Sequence, residues 1–230
     1  MNDTEALELP WTLECADALA LAAGGRVLVA GGATRALLRL LVQQLGTEGQ
    51  VLVLEPHRRR AEALARESGR VVQIAVREPG PDSQRGLYDG VLACPLQAGE
   101  ETAAALAALC VHALRPGGRL AVDLPGRPMS ESLVRAWQRA ARPGDPAPPE
   151  GPVPDTVRAA FAGVGLRGVE VTAVSSLVRA DAESLAELAL EHFAWPEERR
   201  QDLALTLVEG FHTTQVVEVP FVLTRVRGMR

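Results

Sequence analysis

Lysine is absent from this sequence: all 24 basic residues are arginine. The absence excludes a Schiff-base lysine, a phosphate-loop lysine and a Tyr-x-x-x-Lys dehydrogenase pair. Isoleucine occurs only at Ile74 and asparagine only at Asn2, a bias that fits the codon usage of a GC-rich genome. The three cysteines, Cys15, Cys94 and Cys110, are far apart in sequence, odd in number and without metal-ligand spacing. Reduced thiols and no bound metal are expected. No apolar run approaches the roughly 20 residues that span a bilayer. Met1 to Trp11 carries acids where a signal peptide would place basic residues and an apolar core, so a cytoplasmic location is expected. A basic footprint is also missing. Net charge is −5, and the one cluster, Arg58-Arg59-Arg60, stands among Glu55, Glu62 and Glu67. It reads as a solvated helix face, and no nucleic-acid partner is expected.

What is present is apolar and alternating. The hydrophobic share is 47%, ample for a buried core. Strand and helix patterns alternate through the first 125 residues, as in a parallel sheet covered on both faces. Arg26 to Ala30 reads as a buried strand ending in Gly31-Gly32, and Thr34 as the N-cap of a helix carrying Leu37, Leu38, Leu41 and Leu45. Further strands are expected at Val51–Leu54, Val71–Val76, Val91–Cys94 and Leu120–Leu124. Helices are expected from Pro56 to Ser68, from Ala103 to Leu114 and from Ser130 to Ala141.

Arg115 to Gly118 reads as a tight turn, and Pro143 to Pro154 as a long surface loop rather than a domain linker. A short helix after Asp155, a strand from Gly168 to Val174, helices at 181–193 and 196–209, and a final strand from Val216 to Arg227 complete the pattern. In an open parallel sheet, ligands bind beyond the strand C-termini where the winding reverses. That rule puts Gly31 and Glu55 at the mouth of one crevice.

Five stretches resemble the class I S-adenosylmethionine-dependent methyltransferases. They are the first strand with its glycine turn, Glu55 after the second strand, Leu87-Tyr88-Asp89-Gly90-Val91-Leu92, Leu114-Arg115-Pro116-Gly117-Gly118-Arg119-Leu120, and Phe161 to Leu166 followed by Val169-Glu170-Val171. The Leu114–Leu120 stretch is the most specific match.

The resemblance implies an α/β, Rossmann-like three-layer sandwich with a seven-stranded, mostly parallel sheet. Its strand order is 3-2-1-4-5-7-6, with the last strand antiparallel. Residues 1–230 then form a single domain, with about 181–212 as a helical insert on the acceptor side. The resemblance also implies S-adenosylmethionine as cofactor, held around Gly31, Gly32, Ala33 and Arg35. Glu55 and Pro56 would face the ribose, Glu78 or in its place Asp82 the adenine, and Cys94 would line the crevice. A carboxylate at Glu55 can accept two hydrogen bonds from a ribose diol; the same acid can instead stabilise the first turn of the following helix. The chain departs from the family in three places. Val29 stands where the family has an acid, and Ala33 and Arg35 stand where it has its second and third glycines.

Methyl transfer from a sulfonium is an in-line displacement that depends mostly on proximity and alignment, so a conspicuous catalytic constellation is not required. Where the acceptor is protonated, His192 and His212 are the candidate bases, because both follow the sixth strand; each more simply reads as a surface or capping histidine. With no basic patch, the expected partner is a small organic acceptor, and homodimerisation stays open. Two other readings remain. The altered glycine loop suits a methyltransferase-like domain that has lost catalysis and serves binding or assembly. Val27 to Thr34 also has the look of a nicotinamide-dependent oxidoreductase opening, though without its later glycines or its lysine.

Overall fold

The computed structural model describes residues 10–55, 58–67, 71–76, 86–95, 100–126, 129–143, 145, 150–193, 197–211 and 215–230. Its centre is one seven-stranded sheet in the order β3-β2-β1-β4-β5-β7-β6. The strands are β1 (Arg26–Ala30), β2 (Gln50–Leu54), β3 (Val72–Ala75), β4 (Tyr88–Ala93), β5 (Leu114–Pro125), β6 (Arg167–Ala180) and β7 (Val217–Met229). β1 pairs in parallel with β2 and β4, and β4 with β5. β7 runs antiparallel between β5 and β6. This is the expected architecture, strand for strand.

The central strands are apolar almost throughout because both of their faces are covered. In β1, Val27 and Val29 enter one core, and Leu28 and Ala30 the other. The first core lies under α1 (Pro10–Asp17), α2 (Arg35–Leu45), α5 (Glu131–Ala140), α7 (Ala182–Phe193) and α8 (Arg200–Phe211). The second lies under α4 (Glu100–Ala113) and α6 (Pro154–Gly163). The remaining helix is α3 (Arg58–Glu67), whose Leu64 joins the first core.

α2 follows its sequence pattern closely. The Thr34 side chain accepts a hydrogen bond from the Leu37 amide at 3.1 Å, Leu37, Leu38, Leu41 and Leu45 are buried, and Gly46 closes the helix at φ 70°.

Three local expectations are corrected. α1 lies at 10–17, where no helix is expected from the sequence, and is held by burial of Trp11, Cys15 and Ala16. β5 begins at Leu114 and not at Leu120; the Arg115–Gly118 turn is absorbed into its irregular start, where Gly117 adopts φ 78°. The 143–154 segment is not wholly at the surface. Gly151 and Pro152 are buried, and a Cβ at Gly151 would collide with the Pro125 carbonyl at the end of β5. No helix among the described residues is long and apolar enough to cross a membrane.

Candidate functional site

The parallel strands bring the candidate residues to one edge of the sheet. Ala30 pairs with Leu54, so Gly31 and Glu55 leave β1 and β2 side by side, about 5 Å apart at the usual strand spacing. The Gly31 amide donates to the Leu54 carbonyl at 3.2 Å, and the Gly31 carbonyl accepts from the Cys94 amide at 3.5 Å. The glycine turn is thus tied to the ends of both neighbouring strands. Gly31 and Gly32 adopt φ 77° and 67°, the left-handed region that side chains resist. A Cβ on Gly32 would fall 2.7 Å from the Cβ of Cys94 and overlap its carbonyl, whereas one on Gly31 meets nothing closer than Pro95 at 3.6 Å. Gly32 is required by packing, whereas a side chain at Gly31 would make ordinary contact with Pro95.

Glu55 is 1% exposed. An acid buried at the C-terminal edge of a sheet is costly unless hydrogen-bonded, and Glu55 lies beside the glycine turn rather than out in solvent. Its own amide donates to the Ala75 carbonyl at 3.0 Å, extending the β2–β3 ladder by one residue. α3 begins at Arg58, so Glu55 precedes its first turn by three positions. Ala33 is fully buried beneath the turn, and Arg35 is half-buried as the first residue of α2. Val29, at the family's acidic position, is wholly buried in the first core.

Cys94 and Pro95 follow β4 against the glycine turn, with Cys94 buried. Pro56, Glu78, Asp82 and His212 lie outside the described residues, as does the side chain of His192, whose backbone belongs to the end of α7. The structure therefore brings together Gly31, Gly32, Ala33, Arg35, Glu55 and Cys94. Tyr88-Asp89 lies at the opposite edge: Asp89 accepts from the Arg26 amide at 2.7 Å and pairs with Arg115, a structural role at the N-terminal ends of the strands.

α7 and α8 bury Leu185, Ala186, Ala189, Leu203 and Leu207 in the first core. Between them lies an open depression of about 510 Å³ lined by Asp181, Glu183, Gln201, Leu205 and Val208. It stands beside β6, four strand spacings from β1 and so roughly 19 Å across the sheet. A methyl donor and acceptor must approach to about 3–3.5 Å. This depression is separate from the glycine turn at Gly31.

A buried ion pair escaped sequence reasoning. Asp123 of β5 and Arg225 of β7 are direct cross-strand partners beneath α1, 0% and 6% exposed at their side chains. Arg225 Nε and Nη2 donate to the two carboxylate oxygens at 2.8 and 2.7 Å, and Nη1 donates to Glu14 at 3.1 Å. Burial raises the Asp123 carboxyl above its ordinary range, and the Arg225 guanidinium partly offsets that rise. The signal was a charged residue at an inward position of each apolar strand, but nothing in the sequence pairs positions 102 residues apart.

No family model matches the sequence, and no curated protein matches it either. Solved structures do. A mycolic acid cyclopropane synthase complexed with S-adenosylhomocysteine superposes with a TM-score of 0.62 at 16% identity, over 100% of this chain and 86% of that one. The YcgJ protein of Bacillus subtilis gives 0.57 at 13% identity, over 95% and 96%. A phosphoethanolamine N-methyltransferase of Haemonchus contortus gives 0.56 at 12% identity; 96% of this chain is covered, but only 52% of that longer protein. At these identities the likeness is one of fold. With strand order 3-2-1-4-5-7-6 and β7 reversed, the chain has the fold of the class I S-adenosylmethionine-dependent methyltransferases.

Proposed function

We propose that this chain, read as a single methyltransferase-like domain over residues 1–230, transfers a methyl group from S-adenosylmethionine to a small organic acceptor. The observation that carries the proposal is the juxtaposition of the Gly31 turn with a buried carboxylate, Glu55, at the carboxyl edge of a sheet with this strand order. The residues fit the cofactor's chemistry. Glu55 offers paired acceptors for a ribose diol, and Gly31 lets a ligand approach the backbone without meeting a side chain. The bound cofactor supplies an electrophilic methyl group on a sulfonium. The chain's part is to align that group with an acceptor and keep water away. Its acceptor would approach from the side of the 181–212 insert, where His192 and His212 are the candidate bases. The antiparallel β7 between β5 and β6 departs from the all-parallel dinucleotide order and argues against a nicotinamide cofactor.

A second reading, a methyltransferase-like binding or assembly protein without catalysis, rests on the buried Val29 and Ala33. Calorimetric titration separates the two. Wild type is expected to bind S-adenosylmethionine in the micromolar range, about −7 to −8 kcal/mol, and NADPH not at all. If only the Ala33→Gly/Arg35→Gly double variant binds, the pocket of the natural protein is closed and the second reading holds. Binding of neither ligand by either protein would overturn the cofactor assignment.

Glu55→Gln keeps the shape of the side chain and removes its charge. It is expected to weaken S-adenosylmethionine binding by about 1–3 kcal/mol, the usual cost of losing a charge-assisted partner. Unchanged affinity with a lowered melting temperature would instead make Glu55 a stabiliser of α3.

A further inference from the structure

Cys15 and Cys94 are 79 positions apart in the chain, yet the fold brings them into one buried cluster. The Cys15 sulfur, the Cys94 sulfur and a carboxylate oxygen of Asp123 all lie within 4.8 Å of one another. Cys15 is on α1 and Cys94 follows β4, and both are 1% exposed or less. The trio has the donor types of a thiophilic metal site, but the third donor is taken. Both Asp123 oxygens accept from Arg225, and the guanidinium supplies the positive charge an ion would bring. Two sulfurs alone do not complete the four-ligand shell of a structural zinc site. What remains is a pair of thiols within 4.8 Å of each other, shielded from solvent, on two elements that no other covalent link joins.

We propose that Cys15 and Cys94 form a dithiol–disulfide pair that clamps α1 to the end of β4 when the protein meets a two-electron oxidant such as hydrogen peroxide. The balance is complete. The thiolate of one cysteine attacks a peroxide oxygen and breaks the O–O bond, giving a sulfenic acid and one water. The second sulfur then displaces the sulfenic oxygen as another water, and the S–S bond forms. The pair loses two electrons and the peroxide gains them.

Burial pushes the Cys15 thiol well above its ordinary range, and the neighbouring Cys94 thiol adds to the rise. In the closed fold the thiolate is scarce, so the reaction runs through local lifting of α1 from the sheet. α1 is the segment suited to lift. It is only eight residues long; lifting it exposes Trp11, Cys15 and Ala16 and breaks the Trp11–Phe221 ring contact at 5.5 Å, the Arg225 bonds to Glu14 and the Trp11 carbonyl, and the Gln44 bond to Asp17. The third thiol, Cys110, lies in the opposite core, where burial pushes it up to about 12, and serves as an internal control.

The test oxidises the full-length reduced protein with hydrogen peroxide, then unfolds it, alkylates the free thiols and maps its peptides. The expected result is a loss of two of the three alkylatable thiols and a Cys15–Cys94 linked peptide, with Cys110 alkylated. The bond closes a loop of roughly 80 residues, and the oxidised protein should melt about 10 °C higher than the reduced one. The conservative variants Cys15→Ser and Cys94→Ser, assayed separately, should lose both the linked peptide and the shift. Three thiols still free, single-site sulfinic acids without a link, or a bond that involves Cys110 would overturn the proposal. So would a linked form that melts lower than the reduced protein.

Discussion

Arg225→Met should destabilise the protein by about 3–5 kcal/mol at neutral pH, the cost of stranding one partner of a buried ion pair. The substitution keeps most of the side-chain volume but removes the donors to both Asp123 oxygens, to Glu14 and to the Trp11 carbonyl. Asp123 then sits at 0% exposure without a counter-charge. The sign of the pH dependence follows from its protonation. Burial already holds the folded-state carboxyl above its ordinary value, and Arg225 is what lowers it. Without Arg225 it rises further, so the folded variant binds that proton more tightly than the unfolded chain. The penalty is therefore smallest below about pH 4, where the carboxyl is protonated in both states, and it grows as pH rises. Denaturant unfolding of wild type and variant at acid and neutral pH measures the difference. Adding Asp123→Leu should restore most of the lost stability, since an apolar pair of similar volume often matches a buried ion pair. A double variant no better than the single one would shift the cost to the lost contacts with α1.

The legibility of this molecule follows the range of the interactions involved. The alternation of apolar strands with amphipathic helices is a local pattern, and it placed all seven strands. Sheet order is not local, and came through the resemblance carried by the Leu114–Leu120 stretch and its companions. Glu55 was legible because strand ends collect at one edge and an acid there is chemically conspicuous. α1 was not, because eight residues are too short for a helix to stand alone and its helicity rests on burying Trp11 against Phe221, a contact across 210 positions. The thiol pair was hidden for the same reason: Cys15 and Cys94 are separated in sequence, and only β4 running beside β1 under α1 brings them together. The Asp123–Arg225 pair needed the register of β5 against β7. Where a feature depends on one residue's neighbours in the chain, the sequence states it; where it depends on strand register, the structure must.

Gly32→Ala is expected to be far more damaging than Gly31→Ala, although the two glycines are adjacent and both have positive φ. The strain of placing alanine in the left-handed region, roughly 1–2 kcal/mol, is common to both. Only at Gly32 does the added methyl group meet an obstacle. Its Cβ would overlap the Cys94 carbonyl and stand 2.7 Å from the Cys94 Cβ, and this obstacle is backbone at the end of a central strand, not the mobile tip of a side chain. Relief requires the turn or β4 to shift, which for overpacking in a dense core costs a further 1–3 kcal/mol or so. Gly32→Ala should therefore lose about 2–5 kcal/mol and Gly31→Ala about 1–2 kcal/mol in denaturant unfolding.

The order reverses for ligand binding if the crevice holds S-adenosylmethionine. At Gly31 the methyl group would rest against Pro95 at 3.6 Å, on the turn a bound cofactor would approach, so Gly31→Ala, folded and only mildly destabilised, should bind the cofactor at least about tenfold more weakly, a loss of about 1.4 kcal/mol. Equal stability losses at the two positions would mean that the turn yields at Gly32. Unweakened binding by Gly31→Ala would move the cofactor away from this turn.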